Sequence, residues 1–105
     1  MTLTVPHNKT QQEAIAIVDR NADAIFSAAA GGYVEIVDPT HEWHGSAMTF
    51  SFVGSVGFIS LPVTGRVEVD DVNVIVNCEL PPMAKNFIGD EKVAASIEKK
   101  LRAFL

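Results

Sequence analysis

The segment from Val63 to Pro82 constrains the fold more than any other part of the chain. Two runs in which apolar and polar residues alternate meet at Asp70-Asp71, which is the pattern of a β-hairpin with one buried face. A two-residue turn at Asp70-Asp71 places the apolar residues of both strands on the same side. The predicted cross-strand pairs are Val69 with Val72, Val67 with Val74, and Val63 with Cys78.

Two helical patterns lie outside this hairpin. Asn8 or Thr10 can cap a helix, and Thr10 and Glu13 have the spacing of a capping box. This helix is predicted to end at the glycine pair Gly31-Gly32. Towards residue 105, apolar residues recur every three or four positions and predict a second helix that lies across the sheet. Its apolar stripe consists of Val93, Ile97, Leu101 and Phe104.

The remaining alternation predicts further strands. A short strand ends at Pro6. The segment around Pro39-Thr40 is predicted to be one strand with a break at these residues, or two short strands. Gly54-Ser55 is expected to form the turn between the next two strands. The predicted fold class is therefore α+β, with an antiparallel sheet of four to five strands and two helices packed on one face. The predicted order is β-α-β-β-β-β-α, within a single domain over residues 1–105.

Net charge and cysteine content limit the partners and the compartment. A formal net charge of −5 opposes binding to nucleic acid, so no nucleic-acid partner is expected. No window is apolar for long enough to span a bilayer, and the first residues lack the pattern of a secretory signal. A single cysteine cannot form an internal disulfide. The predicted location is the cytoplasm.

The segment from His41 to His44 contains two imidazoles and the carboxylate of Glu42, which are groups that can bind a metal. Residues three apart on a strand point to opposite faces, however, so this spacing does not bring the two imidazoles together. No metal site and no cofactor are predicted.

Cys78 and the Asp70-Asp71 pair are further groups with catalytic chemistry. The alternation turns Cys78 inward among valines, where a thiol is inert, and aspartates in a turn serve to bind backbone N–H groups. No catalytic residue is predicted, and the chain is not expected to be an enzyme.

Large aromatic side chains are the candidates for contact with a ligand or a surface. Core packing is the more common role of such residues. A binding role is favoured if the final helix partly encloses one face of the sheet, as in helix-grip proteins. The candidate contact residues are Trp43, Phe50, Phe52 and Phe104.

Short motifs spread along nearly the whole chain carry a family resemblance. They are Val5-Pro6-His7, Gln12-Glu13-Ala14, Trp43-His44-Gly45, Met48-Thr49-Phe50, the run from Gly65 to Val69, the run from Val72 to Pro81, Phe87, Ile97 and Leu101. In these motifs the chain resembles the polyhydroxyalkanoic acid system family, also described as the polyhydroxyalkanoate granule region family. It departs from that pattern at Ser46, where the family is expected to have an acidic residue.

This resemblance implies a non-enzymatic accessory role in the synthesis or use of storage polyester, with contact to the granule surface or to granule proteins. It implies no catalytic residues. A small hydrophobic-ligand-binding module of helix-grip type is the alternative. Residual apolar groups on the outer face of the sheet also predict a homodimer.

Overall fold

The computed structural model describes residues 1–29, 34–79 and 90–105. The described elements are strand β1 (Thr2–Pro6), helices α1 (Gln11–Arg20) and α2 (Ala22–Ala29), strands β2 (Glu35–His44), β3 (Ala47–Val56), β4 (Ile59–Val69) and β5 (Asn73–Glu79), and helix α3 (Asp90–Phe104). Five strands form one antiparallel sheet in the order β1-β5-β4-β3-β2. The predicted α+β class is confirmed. The predicted helix end at Gly31-Gly32 and strand end at Pro81-Pro82 lie outside the described residues.

The helix predicted after Thr10 is two helices, so the described residues contain three helices rather than the predicted two. The capping box at the start of α1 forms, with Thr10 accepting a hydrogen bond from the backbone N–H of Glu13. At Asn21 the side-chain amide donates to the carbonyl oxygen of Ile17 (2.8 Å). Asparagine favours such local hydrogen bonds, which compete with continued helix, and α2 begins at the next residue. The corrected order is β-α-α-β-β-β-β-α.

The hairpin of β4 and β5 forms, but its register differs from the prediction. Val69 pairs with Val74, and Gly65 rather than Val63 pairs with Cys78. Each β4 residue thus pairs two positions further along β5 than predicted. Because side chains alternate between faces with a period of two, this shift leaves the same residues facing the core. The buried hairpin residues are Val63, Val67, Val69, Val74, Val76 and Cys78.

The turn of this hairpin explains the shift. The carboxylate of Asp70 accepts hydrogen bonds from the backbone N–H groups of Val72 (2.8 Å) and Asn73, and its own N–H donates to the carbonyl oxygen of Asn73. Asp70 is therefore the first residue of the turn, a position that aspartate favours, and Asp71-Val72 forms its centre. Val72, predicted to face Val69, is instead 60% exposed.

The turn between β3 and β4 also lies later than predicted. It is formed by Gly57-Phe58 rather than by Gly54-Ser55. Gly57 has a φ of +58°, which glycine adopts without steric cost. Gly54 lies within β3, where a Cβ atom would come within 2.6 Å of the Val34 side chain. The glycine at position 54 therefore permits close packing and does not form a turn.

Strand β2 is interrupted where the sequence predicts a break. Its register with β3 shifts between Val37 and Thr40, and Asp38 has a φ of +51° at this point. β2 and β1 form the two edges of the sheet. An irregular edge strand is a poor template for pairing with another chain, and Pro6 has the same effect at the end of β1.

The described helices cover one face of the sheet. Phe26 of α2 lies against β3, with its ring centroid 5.1 Å from that of Phe50 and 6.0 Å from that of Phe52. Helix α3 contacts α2 and β1, and its residues Val93, Ile97 and Leu101 belong to the same core. We call the opposite side of the sheet the open face, because no described helix packs on it.

Candidate functional site

An open groove of about 550 Å³ crosses the open face. Its volume lies in the range of small-molecule sites, roughly 300–1,000 Å³. Arg66 extends from β4 into this groove and pairs with Glu68, with Nε 2.8 Å from Oε1. The hydroxyl oxygens of Thr40 and Ser51 are 2.9 Å apart. The groove therefore combines hydroxyl, amide and charged groups with apolar surface, part of it from Phe50. Its other lining residues include Thr49, Thr64, Asn77 and Glu79.

Three polar side chains meet at the rim of the core, between α1 and β2. Asp19 Oδ1 accepts a hydrogen bond from Trp43 Nε1 (2.9 Å) and lies 3.1 Å from His41 Nε2. The hydrogen bond from Trp43, and after it the one from His41, holds the pKa of the Asp19 carboxyl below its ordinary value. The Asp19 carboxylate thus acts as the shared hydrogen-bond acceptor through which this cluster joins α1 to β2.

The four aromatic residues predicted to contact a ligand or surface lie in different settings. Phe50 and Phe52 are 4% and 2% exposed, and the ring of Phe26 packs against both of them. Phe26 thus covers the core side of these two rings, while Phe50 also contributes to the lining of the groove. Trp43 is half-buried at the rim, and Phe104 is half-buried at the end of α3. A contact role for each of these four residues stays a prediction.

His41 and His44 lie on opposite sides of β2, in agreement with the argument from spacing. His41 faces the helices, with its ring centroid 6.0 Å from that of Phe26. His44 Nε2 instead lies 3.7 Å from Glu42 Oε2. Within residues 1–29, 34–79 and 90–105, no three His, Cys, Asp or Glu side chains are grouped so as to hold a metal ion.

The other groups considered for catalysis have structural positions. Cys78 is buried in β5, which lies between β1 and β4. The pKa of the Asp70 carboxyl is lowered because the backbone N–H groups of Val72 and then Asn73 donate to it. The Asp70 carboxylate thus stabilises the turn in which it lies.

The alternation of apolar and polar residues does not predict that His7 is buried. In the structure, the His7 side chain is only 6% exposed. Its Nδ1 accepts a hydrogen bond from the backbone N–H of Lys9 (3.2 Å), so Nε2 carries the hydrogen and donates to the carbonyl oxygen of Asp70 (2.9 Å). The backbone N–H of His7 donates to the carbonyl oxygen of Val72. His7 therefore ties the end of β1 to the β4–β5 turn.

Exposed apolar side chains occupy two hairpin tips at opposite ends of β4. Phe58 in the β3–β4 turn is fully exposed, and Val72 in the β4–β5 turn is 60% exposed. Val72 has Asp70 and Asp71 beside it. Residues 45–65, by contrast, contain no Asp, Glu, Lys, Arg or His, in a chain of which 20% of residues are charged. We call residues 45–65 the uncharged hairpin.

The tip of the uncharged hairpin is available to an apolar partner. Burial of a phenylalanine side chain stabilises a folded protein or a complex by about 1.5–3 kcal/mol. Phe58 is exposed in the folded chain, so this stabilisation is still available for binding to a partner. Val56 and Ile59, which form the last pair of the β3–β4 ladder, are half-buried. The tip therefore combines a fully exposed aromatic ring with aliphatic neighbours.

A comparison with protein families finds a match over the whole chain. The model of the family described as "Putative polyhydroxyalkanoic acid system protein" matches residues 1–105. No curated protein and no solved structure matches the chain. Among the described residues, no helix has both the length and the apolar character that crossing a membrane requires.

Proposed function

The chain belongs to the family of polyhydroxyalkanoic acid system proteins, and from this membership we propose that it is a non-enzymatic accessory protein that associates with storage-polyester granules. The observation that carries the proposal is the family match over residues 1–105. The proposal includes a cytoplasmic location at the granule surface. Contact with the polyester itself or with granule proteins is the expected mode of association.

The non-enzymatic part of the proposal is supported by how the reactive side chains are used. The Asp19 carboxylate accepts hydrogen bonds from two side chains, and the Asp70 carboxylate accepts two from its own turn. Cys78 is 1% exposed within the sheet. These groups stabilise contacts between elements and are not directed into the groove on the open face.

Granule association is tested by partition. Purified protein mixed with native polyester granules is expected to sediment with them, and a fluorescent fusion is expected to colocalise with granules in cells. Protein that stays wholly in the supernatant, together with a fusion that never colocalises with granules, would contradict the proposal.

The absence of catalysis has a separate test. His41 and His44 are the side chains best suited to acid–base chemistry. The double variant His41→Ala, His44→Ala is expected to bind granules as the wild type does and to leave cellular polymer content unchanged. A change in polymer content with normal folding and granule binding would instead indicate an enzymatic role.

A small-ligand-binding module is the second candidate function, and the groove on the open face favours it. The mixture of polar and apolar groups in the lining suits a ligand that has an apolar chain and a hydroxyl or carboxylate group. Medium-chain fatty acids and their 3-hydroxy derivatives are suitable probes. Binding is expected to shift the amide resonances of Thr49, Thr64 and Asn77. Unchanged spectra at millimolar ligand would exclude this candidate for these ligands.

The proposed assembly is a homodimer in which the open faces of two chains pack together. Val53 and Ile75 are half-buried apolar residues on this face. Light scattering is expected to give twice the chain mass of 11.3 kDa, and Ile75→Glu is expected to give the monomer. A wild-type monomer at high protein concentration would contradict the dimer.

A further inference from the structure

We propose that the tip of the uncharged hairpin, residues 56–59, inserts into the polyester surface of the granule, with Phe58 as its anchor. This inference rests on the proposed granule association and names the surface responsible for it. It goes beyond the family match, which says nothing about individual residues.

The geometry of the tip suits shallow insertion into an apolar surface. The β3–β4 ladder closes with the pair Val56 and Ile59. Beyond this pair, the positive φ of Gly57 allows a tight turn that leaves Phe58 fully exposed at the apex. The backbone of the hairpin is already folded before contact, so little backbone entropy is lost when the tip inserts.

The charge distribution limits which part of the molecule can enter. A charged side chain that leaves water for an apolar medium loses its hydration, which is strongly unfavourable. No charged residue or histidine occurs between His44 and Arg66 in sequence. On the neighbouring strand, the exposed Glu35 pairs with Ser55. Insertion is therefore expected to stop at the level of Ser55, which leaves residues 56–59 inside.

The same distribution excludes the other exposed hairpin tip as the anchor. Val72 lies beside Asp70 and Asp71, and its insertion would bring two carboxylates to the polymer. Val72 therefore provides a matched control, since it is also an exposed apolar residue in a hairpin turn.

A neutral polyester fits the tip better than an anionic lipid bilayer does. Proteins that bind bilayer surfaces combine apolar insertion with Lys or Arg for the anionic head groups. The uncharged hairpin contains neither residue, and the whole chain has a net charge of −5. An aliphatic polyester has no head groups of fixed charge, so apolar insertion alone can hold the protein.

The test compares three variants of the full chain, Phe58→Ser, Phe58→Leu and Val72→Ser. Each is sedimented with protein-free amorphous polyhydroxyalkanoate particles and, separately, with vesicles of phosphatidylcholine and phosphatidylglycerol. Folding is checked by circular dichroism. Phe58→Ser is expected to weaken binding to the particles about tenfold or more, in proportion to the apolar burial lost. Phe58→Leu and Val72→Ser are expected to bind within about twofold of the wild type.

Each other result has a distinct meaning. If wild-type protein binds the particles and Phe58→Ser binds equally well, the hairpin tip is not the anchor, while granule association itself stands. If wild-type protein binds neither the particles nor native granules, the proposed function fails as well. Equal or stronger binding to the vesicles would overturn the choice of polyester as the partner.

Discussion

Gly65 and Phe50 show at the scale of single residues how the core depends on a missing side chain. They are paired in the β3–β4 ladder, on the side of the sheet that faces the helices. A Cβ atom at position 65 would lie 2.6 Å from Phe50 Cε1 and 2.8 Å from the backbone oxygen of Asn77. The glycine therefore makes room for the aromatic ring, an arrangement known from other glycines in sheets.

Gly65→Ala is predicted to lower the free energy of unfolding by about 1–3 kcal/mol, because the added methyl group forces Phe50 or the β5 backbone to move. Chemical denaturation measures this change. Thr64→Ala, one residue away on the open face, is the control and is expected to change stability by less than about 0.5 kcal/mol. Equal effects of the two substitutions would show that Phe50 does not pack on position 65 as described.

Asp19 carries a prediction about acid stability. Its pKa is lowered in the folded state, so its contribution is fully present above the unfolded pKa of about 3.9 and is lost as pH falls through the lower folded value. Asp19→Asn keeps an oxygen acceptor for Trp43 but removes the charge, and about half of the Asp19 side-chain surface is exposed. The expected loss is therefore under about 1 kcal/mol at pH 7.

The difference in melting temperature between wild type and Asp19→Asn is expected to shrink below about pH 4 and to vanish in stronger acid. Trp43→Phe, which removes the donor with the largest effect on this pKa, serves as the comparison. Its loss of stability should also be smaller in acid. A difference for Asp19→Asn that is the same at pH 3 and pH 7 would contradict an ionised, hydrogen-bonded Asp19.

At the scale of elements, the start of α1 is set by local chemistry. Thr10 Oγ1 accepts from the backbone N–H of Glu13 at 3.1 Å, and the Glu13 carboxylate returns to the Thr10 backbone N–H. Thr10→Ala is predicted to lower the free energy of unfolding by about 1 kcal/mol, since it leaves an N–H group of the first turn without its acceptor. Thermal denaturation measures the loss.

Thr10→Ser retains the capping hydroxyl and is expected to remain within about 0.5 kcal/mol of the wild type. Gln12→Ala, at an exposed position of the same helix, tests whether any substitution near the start of α1 has the same effect. Thr10→Ala that is as stable as Thr10→Ser would show that the capping box contributes nothing to stability.

The two hairpins show which properties of an element are local. Alternation determines which residues of β4 and β5 are buried, and the structure confirms that side. The position of the turn depends on which carboxylate accepts hydrogen bonds from the backbone N–H groups of the turn. Asp70 and Asp71 are both aspartates, so the sequence does not show which of them does so. The hydrogen bond that the backbone N–H of Val72 donates to the Asp70 carboxylate distinguishes them.

At the scale of the whole molecule, Cys78 reports on the integrity of the core between the sheet and the helices. It is 1% exposed and lies in β5, between β1 and β4. Because the Cys78 side chain belongs to the core that the helices cover, exposure of the thiol requires that this core opens. The single thiol is predicted to react with an aromatic disulfide reagent only as the protein unfolds, with the same denaturant midpoint as circular dichroism.

The control for this labelling experiment is the double variant Cys78→Ser, Val72→Cys. Its thiol lies in the exposed β4–β5 turn and is expected to react at once in the native state. Native wild-type protein that reacts as fast as this variant would show that β5 is accessible without unfolding.

The sequence by itself determined the α+β class, the buried side of each strand, the capping box and the family. These properties depend on residues close together in sequence. Side chains repeat every two residues in a strand and every 3.6 residues in a helix, and a capping box spans four residues. Contacts between distant residues had no such signal. Asp19 meets His41 and Trp43 because α1 packs beside β2, and His7 meets Asp70 because β1 pairs with β5.

The tertiary structure alone decided the register of β4 with β5, the division of the first helical segment at Asn21, and the exposure of Phe58. A register shift of two residues preserves the pattern of buried side chains, so alternation cannot distinguish one register from the other. Phe58 likewise has the apolar character of a core residue. Phe58 lies beyond the last strand pair, where no other part of the described chain covers it, so it stays at the surface. Burial depends on what packs around a residue, and the sequence alone does not show that.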